Sequence, residues 1–244
     1  MCLIFLAFDL RQDYPLILAA NRDEFYSRPT AAAAFWEDNP NIYGGRDLKG
    51  GGMWLGVTKD GRFAAVTNYR EPGTPPGERS RGALVSNFLS TDIPCFDYLE
   101  GVHRDTSLYS AFNLIVGEIG DRREVFYYSN RQGTIQNLQP GIYGLSNHLL
   151  DTPWPKVTNG KERFREIVNR PFLDQDSLFE LLSDTTLAPD AVLPSTGLSL
   201  ELERSLSAIS VRLPDYGTRS STVLLFDSDR GWRFEERGVN AEVS

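Results

Sequence analysis

Cys2-Leu-Ile-Phe-Leu-Ala-Phe8 and Tyr14-Pro-Leu-Ile-Leu-Ala-Ala-Asn21 open the chain, separated by the polar Asp9-Leu-Arg-Gln-Asp13. Each run suits one strand, and the polar break suits a hairpin-like connection. Neither run alternates apolar with polar residues, as a strand with one wet face would. Near-continuous apolar strands belong in a sheet sandwiched between other layers.

The rest of the chain extends this reading. Further strands are expected at Met53–Thr58 and Arg62–Tyr69, split by the Lys59-Asp-Gly61 turn, then at Phe112–Glu118, Val125–Ser129 and Ile142–Ser146. A last pair, Ser221–Asp227 and Trp232–Glu236, is joined by Ser228-Asp-Arg-Gly231. Helical spacing appears at Ser80–Leu89 and Phe96–Glu100, broken at Pro94, and at Val157–Val168, Asp176–Leu182 and Leu200–Ile209. Strands and helices do not alternate strictly, which disfavours a doubly wound parallel sheet. The pattern predicts an α+β fold of two mostly antiparallel sheets with helices outside. Residues 1–244 read as one domain, and Glu71-Pro-Gly-Thr-Pro-Pro-Gly77 as a surface loop.

Composition narrows the function classes. The 244 residues are 41% hydrophobic, enough for a full core, with disorder expected only at the extreme C-terminus. The formal net charge of −8 lends no support to a nucleic-acid or anionic-membrane partner, since both need basic patches. Two distant cysteines, Cys2 and Cys95, exclude a disulfide framework and suit a reducing cytosol. The first apolar run is too short for a signal peptide or a membrane span. A cytoplasmic protein is expected.

Cys2 carries the most chemistry. Removal of Met1 would give it a free α-amine, with a pKa of about 7.7–8.0, beside a thiol near 8.5. Nucleophile and general base then reside in one residue. The same residue also fits a buried strand cysteine. Asn21-Arg-Asp-Glu24, directly after an apolar run, fits a solvated turn. It also fits a site: antiparallel pairing with the first strand would bring Arg22 and Asp23 near Cys2. There an Asp would orient the amine and an Arg would favour the thiolate.

Met1-Cys2 opening a strand, Ala20-Asn-Arg-Asp-Glu-Phe25 and Gly51-Gly-Met-Trp-Leu-Gly56 resemble the NRDE family, also called the transport-and-Golgi-organisation protein 2 family. Val66-Thr-Asn-Tyr-Arg70, Gly144-Leu-Ser-Asn-His148 and Gly217-Thr-Arg-Ser-Ser-Thr222 add to the resemblance, which runs to about Arg237. That family is similar to N-terminal-nucleophile hydrolases of the penicillin acylase and bile-salt hydrolase type. The resemblance implies a four-layer αββα fold and cleavage of a non-peptide amide. It implies Cys2 as nucleophile and base, Asp23 holding its amine, and Arg22 polarising the thiol. Asn68 and Asn147 would be oxyanion or amine-orienting amides, and Arg219 would lie near the nucleophile. Removal of one such donor, Asn147 for instance, is expected to lower turnover about 10²–10³-fold. In the bile-salt enzymes the Arg and Asp are separated. Here they are adjacent, and strand neighbours point to opposite faces. Family members have been linked to haem handling and lipid metabolism, which implies a second reading.

Asn21, Trp54 and His148 are the candidate substrate-binding residues. The glycines at 44–45 and 50–52 do not make a phosphate loop, which needs Gly-Lys-Ser/Thr entering a helix, and read as a loop bordering the cleft. Only His103 and His148 occur, neither at ligand spacing from a cysteine or carboxylate, so no metal or other cofactor is expected. Asp227-Ser-Asp-Arg-Gly231 lacks the twelfth-position Glu of a calcium loop and reads as a hairpin turn. No Gly-x-Ser-x-Gly elbow exists. Two main readings remain: an amide hydrolase using Cys2, or a non-catalytic carrier of haem, a lipid or an acyl thioester on the same scaffold. A scaffold protein without a small ligand would leave Cys2, Asn21, Arg22 and Asp23 unexplained. Cys2→Ala separates the first two, because only the hydrolase depends on that residue.

Overall fold

Residues 2–120 and 122–239 are described by a computed structural model. Met1 and the C-terminal residues 240–244, on which two of the expectations bear, lie outside them. The strands are β1 (Cys2–Phe8), β2 (Leu16–Phe25), β3 (Thr30–Phe35), β4 (Ile42–Asp47), β5 (Leu55–Thr58), β6 (Arg62–Asn68), β7 (Phe112–Ile119), β8 (Arg123–Ser129), β9 (Ile135–Asn137), β10 (Gly141–Leu145), β11 (Tyr216–Asp227) and β12 (Gly231–Gly238). The α-helices are α1 (Gly82–Leu89), α2 (Cys95–Arg104), α3 (Pro155–Val168), α4 (Gln175–Leu182) and α5 (Leu200–Ser205).

Two antiparallel sheets form, one ordered β10-β1-β2-β11-β12 and the other β3-β4-β5-β6-β7-β8-β9. Their facing surfaces bury Ile4, Leu6, Leu16 and Leu18 of one sheet against Leu55, Phe63, Ile115 and Tyr127 of the other. The opposite face of β1 and β2 buries Leu3, Phe5, Ile17 and Ala19 against Phe164, Leu178 and Leu182 of α3 and α4. Helices α1 and α2 cover the outer face of the larger sheet through Leu84, Phe88 and Leu99. The result is the four-layer αββα arrangement. It explains why β1 is apolar at every position: both of its faces are inside. Among the described residues no helix is long and apolar enough to cross a membrane.

The sequence reading and the structure differ mainly at β2, β3, β4 and β9. Asn21-Arg-Asp-Glu24 lies within β2. It stays in strand because β11 pairs along it, from Phe226↔Leu16 to Tyr216↔Phe25. Thr30-Ala-Ala-Ala-Ala-Phe35 and Ile42-Tyr-Gly-Gly-Arg-Asp47 are strands made largely of residues with little strand preference, held by pairing to each other and to β5. The last helix stops at Ser205, four residues before the expected end at Ile209.

Glycines matter where two loops meet at the sandwich mouth. A Cβ on Gly52 would lie 2.4 Å from the Gly82 carbonyl carbon, so the 50–52 loop and the start of α1 touch backbone to backbone. These two segments wall the cleft described next.

Candidate active site

Cys2 begins β1 directly opposite Arg22 on β2. It is 7% exposed, on the face that packs toward the second sheet. A cleft of about 410 Å³ opens beside it, lined among others by Arg22, Asp23, Glu24, Arg28, Met53, Trp54 and Asn68. Burial pushes the Cys2 thiol up; the Asp23 carboxylate adds to that, whereas Arg22 and a backbone N–H of Asp23 oppose it. The resting sulfur is therefore a thiol, and a nearby base is needed to make it a nucleophile.

Arg22 and Asp23 point to opposite faces of β2, as neighbours on a strand must, yet both reach the cleft because the strand end forms its rim. Arg22 lies on the inter-sheet face with Cys2 and donates to Thr30 Oγ1 at 3.0 Å. Asp23 lies toward α3 and accepts from Thr218 Oγ1 at 2.7 Å. A bulge at Arg219 shifts the pairing from Thr218↔Asp23 to Ser220↔Arg22. The extra residue lets β11 serve Asp23 from one side while its partner strand presents Arg22 from the other.

Trp54 and Asn68 also line the cleft. Asn147 stands behind it, fully buried. Its side-chain amide donates to the Asn68 carbonyl at 3.0 Å, and its own carbonyl accepts from the Arg70 N–H at 2.6 Å. Its donor is thus spent on fixing the end of β6, which carries Asn68. The remaining expected residues do not line the cleft. Asn21 is buried under the helices, donating to the Leu182 and Ile209 carbonyls and accepting from Ser221 Oγ. His148 is hydrogen-bonded between Tyr69 and Thr152, where burial holds its pKa down. Arg219 donates to the carbonyls of Phe25 and Arg28, bracing the turn into β3, and lines an adjoining cleft of about 290 Å³. Among the described residues no cluster of metal-ligating side chains occurs.

Several contributors escaped the sequence reading. Arg28 is ion-paired to Asp47 at 2.6 Å, whose other oxygen accepts from the Lys49 and Gly50 N–H groups; this fixes the glycine-rich loop. Behind Asp23 lies a buried charge group. Arg70 pairs with Glu203 at 2.6 Å, their side chains 5% and 3% exposed, and stacks over Trp154 at 4.6 Å. Lys156, 4% exposed, falls on the buried stripe of α3 with Val157, Gly160 and Phe164. Among the described residues its ammonium has no hydrogen-bond partner. Burial brings its pKa down to about 8; Asp23, Cys2 and Glu203 counter that shift and Arg70 reinforces it.

A pH signature follows from Lys156. Its folded pKa lies below its unfolded one, so the penalty for burying the charge is full below about pH 8 and vanishes above 10.5. Relative to the wild type, Lys156→Met is expected to lose up to about 3 kcal/mol of stability advantage between those limits. Urea unfolding of both proteins at pH 7 and pH 10 measures this. A pH-independent difference would mean that Lys156 is protonated equally in the folded and unfolded protein, its pKa not lowered by burial.

The family model described as Transport and Golgi organisation 2 matches residues 1–241. A transport and Golgi organization protein 2 homolog from Homo sapiens is 42% identical over 257 residues, covering 98% of this chain and 93% of its own. The Drosophila melanogaster transport and Golgi organization protein 2 is 32% identical over 260 residues, with 97% and 91% covered. Among solved structures, a Caenorhabditis elegans ortholog of N-acylethanolamine-hydrolyzing acid amidase is similar with a TM-score of 0.56, covering 96% of this chain and 100% of that one at 14% identity. The likeness at that identity is one of fold, and the fold is that of the N-terminal-nucleophile hydrolases.

Proposed function

This chain belongs to the Transport and Golgi organisation 2 family, and from that premise we propose that it hydrolyses a non-peptide amide or related acyl bond of a small molecule, with Cys2 as N-terminal nucleophile after loss of Met1. The observation that carries the reading is the convergence of Cys2, Arg22 and Asp23 on one cleft. Two unpaired cysteines suit action in the cytoplasm.

In this mechanism the Cys2 amine, oriented by Asp23, takes the thiol proton as sulfur attacks the substrate carbonyl carbon. Arg22 stabilises the sulfur's negative charge, and the Asn68 amide donates to the oxyanion. Collapse breaks the acyl bond and the leaving nitrogen takes the proton. Water then attacks the thioester, releases the acid and restores the thiol. A thiol held up by burial has little thiolate at rest, so a base on the same residue removes the need for a separate histidine. His148 is committed elsewhere, to Tyr69 and Thr152.

Asn68→Ala is expected to lower turnover about 10²–10³-fold, corresponding to roughly 2.7–4 kcal/mol. Asn147→Ala acts in the same direction by releasing the Asn68 backbone, and differs in also lowering stability. Steady-state kinetics with thermal melts separates the two effects.

The reading is tested by incubating the native untagged protein with a panel of N-acyl amides, quenching in acid and mapping acyl adducts by mass. A thioester on Cys2 with released amine supports it. Neither adduct nor turnover across the panel, with a hydrophobic ligand retained by the protein, would favour the carrier of haem or lipid.

A further inference from the structure

The protein carries a net charge of −8, but the cleft beside Cys2 is lined by five basic and three acidic side chains. The cations are not equivalent. Arg28 is paired to Asp47, and Arg79 to Asp105. Arg22 sits opposite Cys2 on the neighbouring strand and serves the sulfur. Arg81 lines the cleft without a carboxylate partner among the described residues; one guanidinium nitrogen donates to the Ala111 carbonyl at 3.0 Å. Burial weakens its proton affinity; the Cys2 sulfur and Glu24 oppose that shift and Arg28 reinforces it, which places Arg81 in the electrostatic neighbourhood of the nucleophile.

Its position in the chain is equally unusual. Arg81 stands at the very start of α1, already in helical conformation, and its side chain makes no cap. The first turn of α1 holds no acidic residue. The positive end of the helix dipole and Arg81 thus border the same cleft, which favours an anion there. Gly82, which follows, also lines the cleft, and its contact with Gly52 keeps side chains out of that corner. Exposed Lys49 adds a further cation on the rim.

We infer that the cleft takes a substrate bearing an anionic oxygen group, a carboxylate or a phosphate ester, and that Arg81 at the start of α1 receives it. This rests on the cleft of the hydrolase reading, but its test needs no turnover. Cys2 is alkylated with anionic iodoacetate and with neutral iodoacetamide, and the modified peptide is quantified. Cys95, fully buried with its thiol pushed up to about 12, is followed as the unreactive control.

The iodoacetate-to-iodoacetamide rate ratio at Cys2 is expected to be about tenfold higher in the folded protein than in the urea-unfolded chain. Arg81→Gln is expected to bring the ratio to the unfolded value, and Arg81→Lys, which keeps the charge, to retain most of the preference. Inorganic phosphate is expected to slow alkylation in the wild type and not in Arg81→Gln. Equal ratios in folded and unfolded protein, or an unchanged ratio in a folded Arg81→Gln, overturn the assignment. If Arg81→Gln does not fold, absence of phosphate protection in the wild type overturns it. A protein that shows the preference but cleaves no amide keeps the anion site and loses the hydrolase.

Discussion

Under the proposed mechanism Cys2→Ala is expected to abolish amide turnover, a loss of about 10⁶-fold, of the size seen when a nucleophile is removed from an acyl-transfer site. The size follows from what the one residue supplies. Truncation at Cβ removes the attacking sulfur, and the amine that remains has nothing to deprotonate. No second thiol or imidazole lines the cleft among the described residues: Cys95 lies buried under the opposite sheet, and His148 is held by Tyr69 and Thr152. The fold should tolerate the change, because Cys2 sits at the end of β1 and contributes one sulfur to an inter-sheet core built by Ile4, Leu6, Leu16 and Leu18. Turnover assays with melting curves on the variant check both statements. Residual turnover within tenfold of the wild type would remove Cys2 from the chemistry.

The largest stability effect is expected away from the sulfur. Glu203→Ala leaves the Arg70 guanidinium buried without its carboxylate, and two of that group's nitrogens already lack partners among the described residues. Breaking a buried pair from one side costs about 3–5 kcal/mol, whereas replacing both partners by apolar groups is often close to neutral. Glu203→Ala is therefore expected to lose that amount in urea unfolding, and Arg70→Met with Glu203→Leu to recover most of it. The single change also disturbs the site, because the Arg70 N–H holds the Asn147 carbonyl and Asn147 holds Asn68. A loss under 1 kcal/mol in Glu203→Ala would show that the pair is hydrated.

The first two strands were legible because their unbroken apolar runs have one explanation, burial on both faces. β1 begins and ends where the sequence indicates. β3 and β4 were not legible: Ala31-Ala-Ala-Ala34 and Gly44-Gly45 carry no periodic signal, and pairing alone makes them strands. At the site, Cys2, Arg22, Asp23, Trp54 and Asn68 line one cleft. Asn21, His148 and Arg219 do not: Asn21 differs from Arg22 by one residue and hence by one face, His148 lies past the end of β10, and Arg219 sits at the bulge in β11. Lys156 had a readable signal, a lysine spaced four and eight residues before Gly160 and Phe164 on the apolar stripe of a helix. Arg81 had a weaker one, a basic residue in the first turn of a helix, where acidic residues are the ordinary choice.

The chemistry proposed here depends on a free amine at Cys2, and the intact mass of the untagged protein from its native host tests that most directly. The account predicts a mass short by one methionine. A mass that includes Met1 leaves Cys2 without its base and would contradict the mechanism.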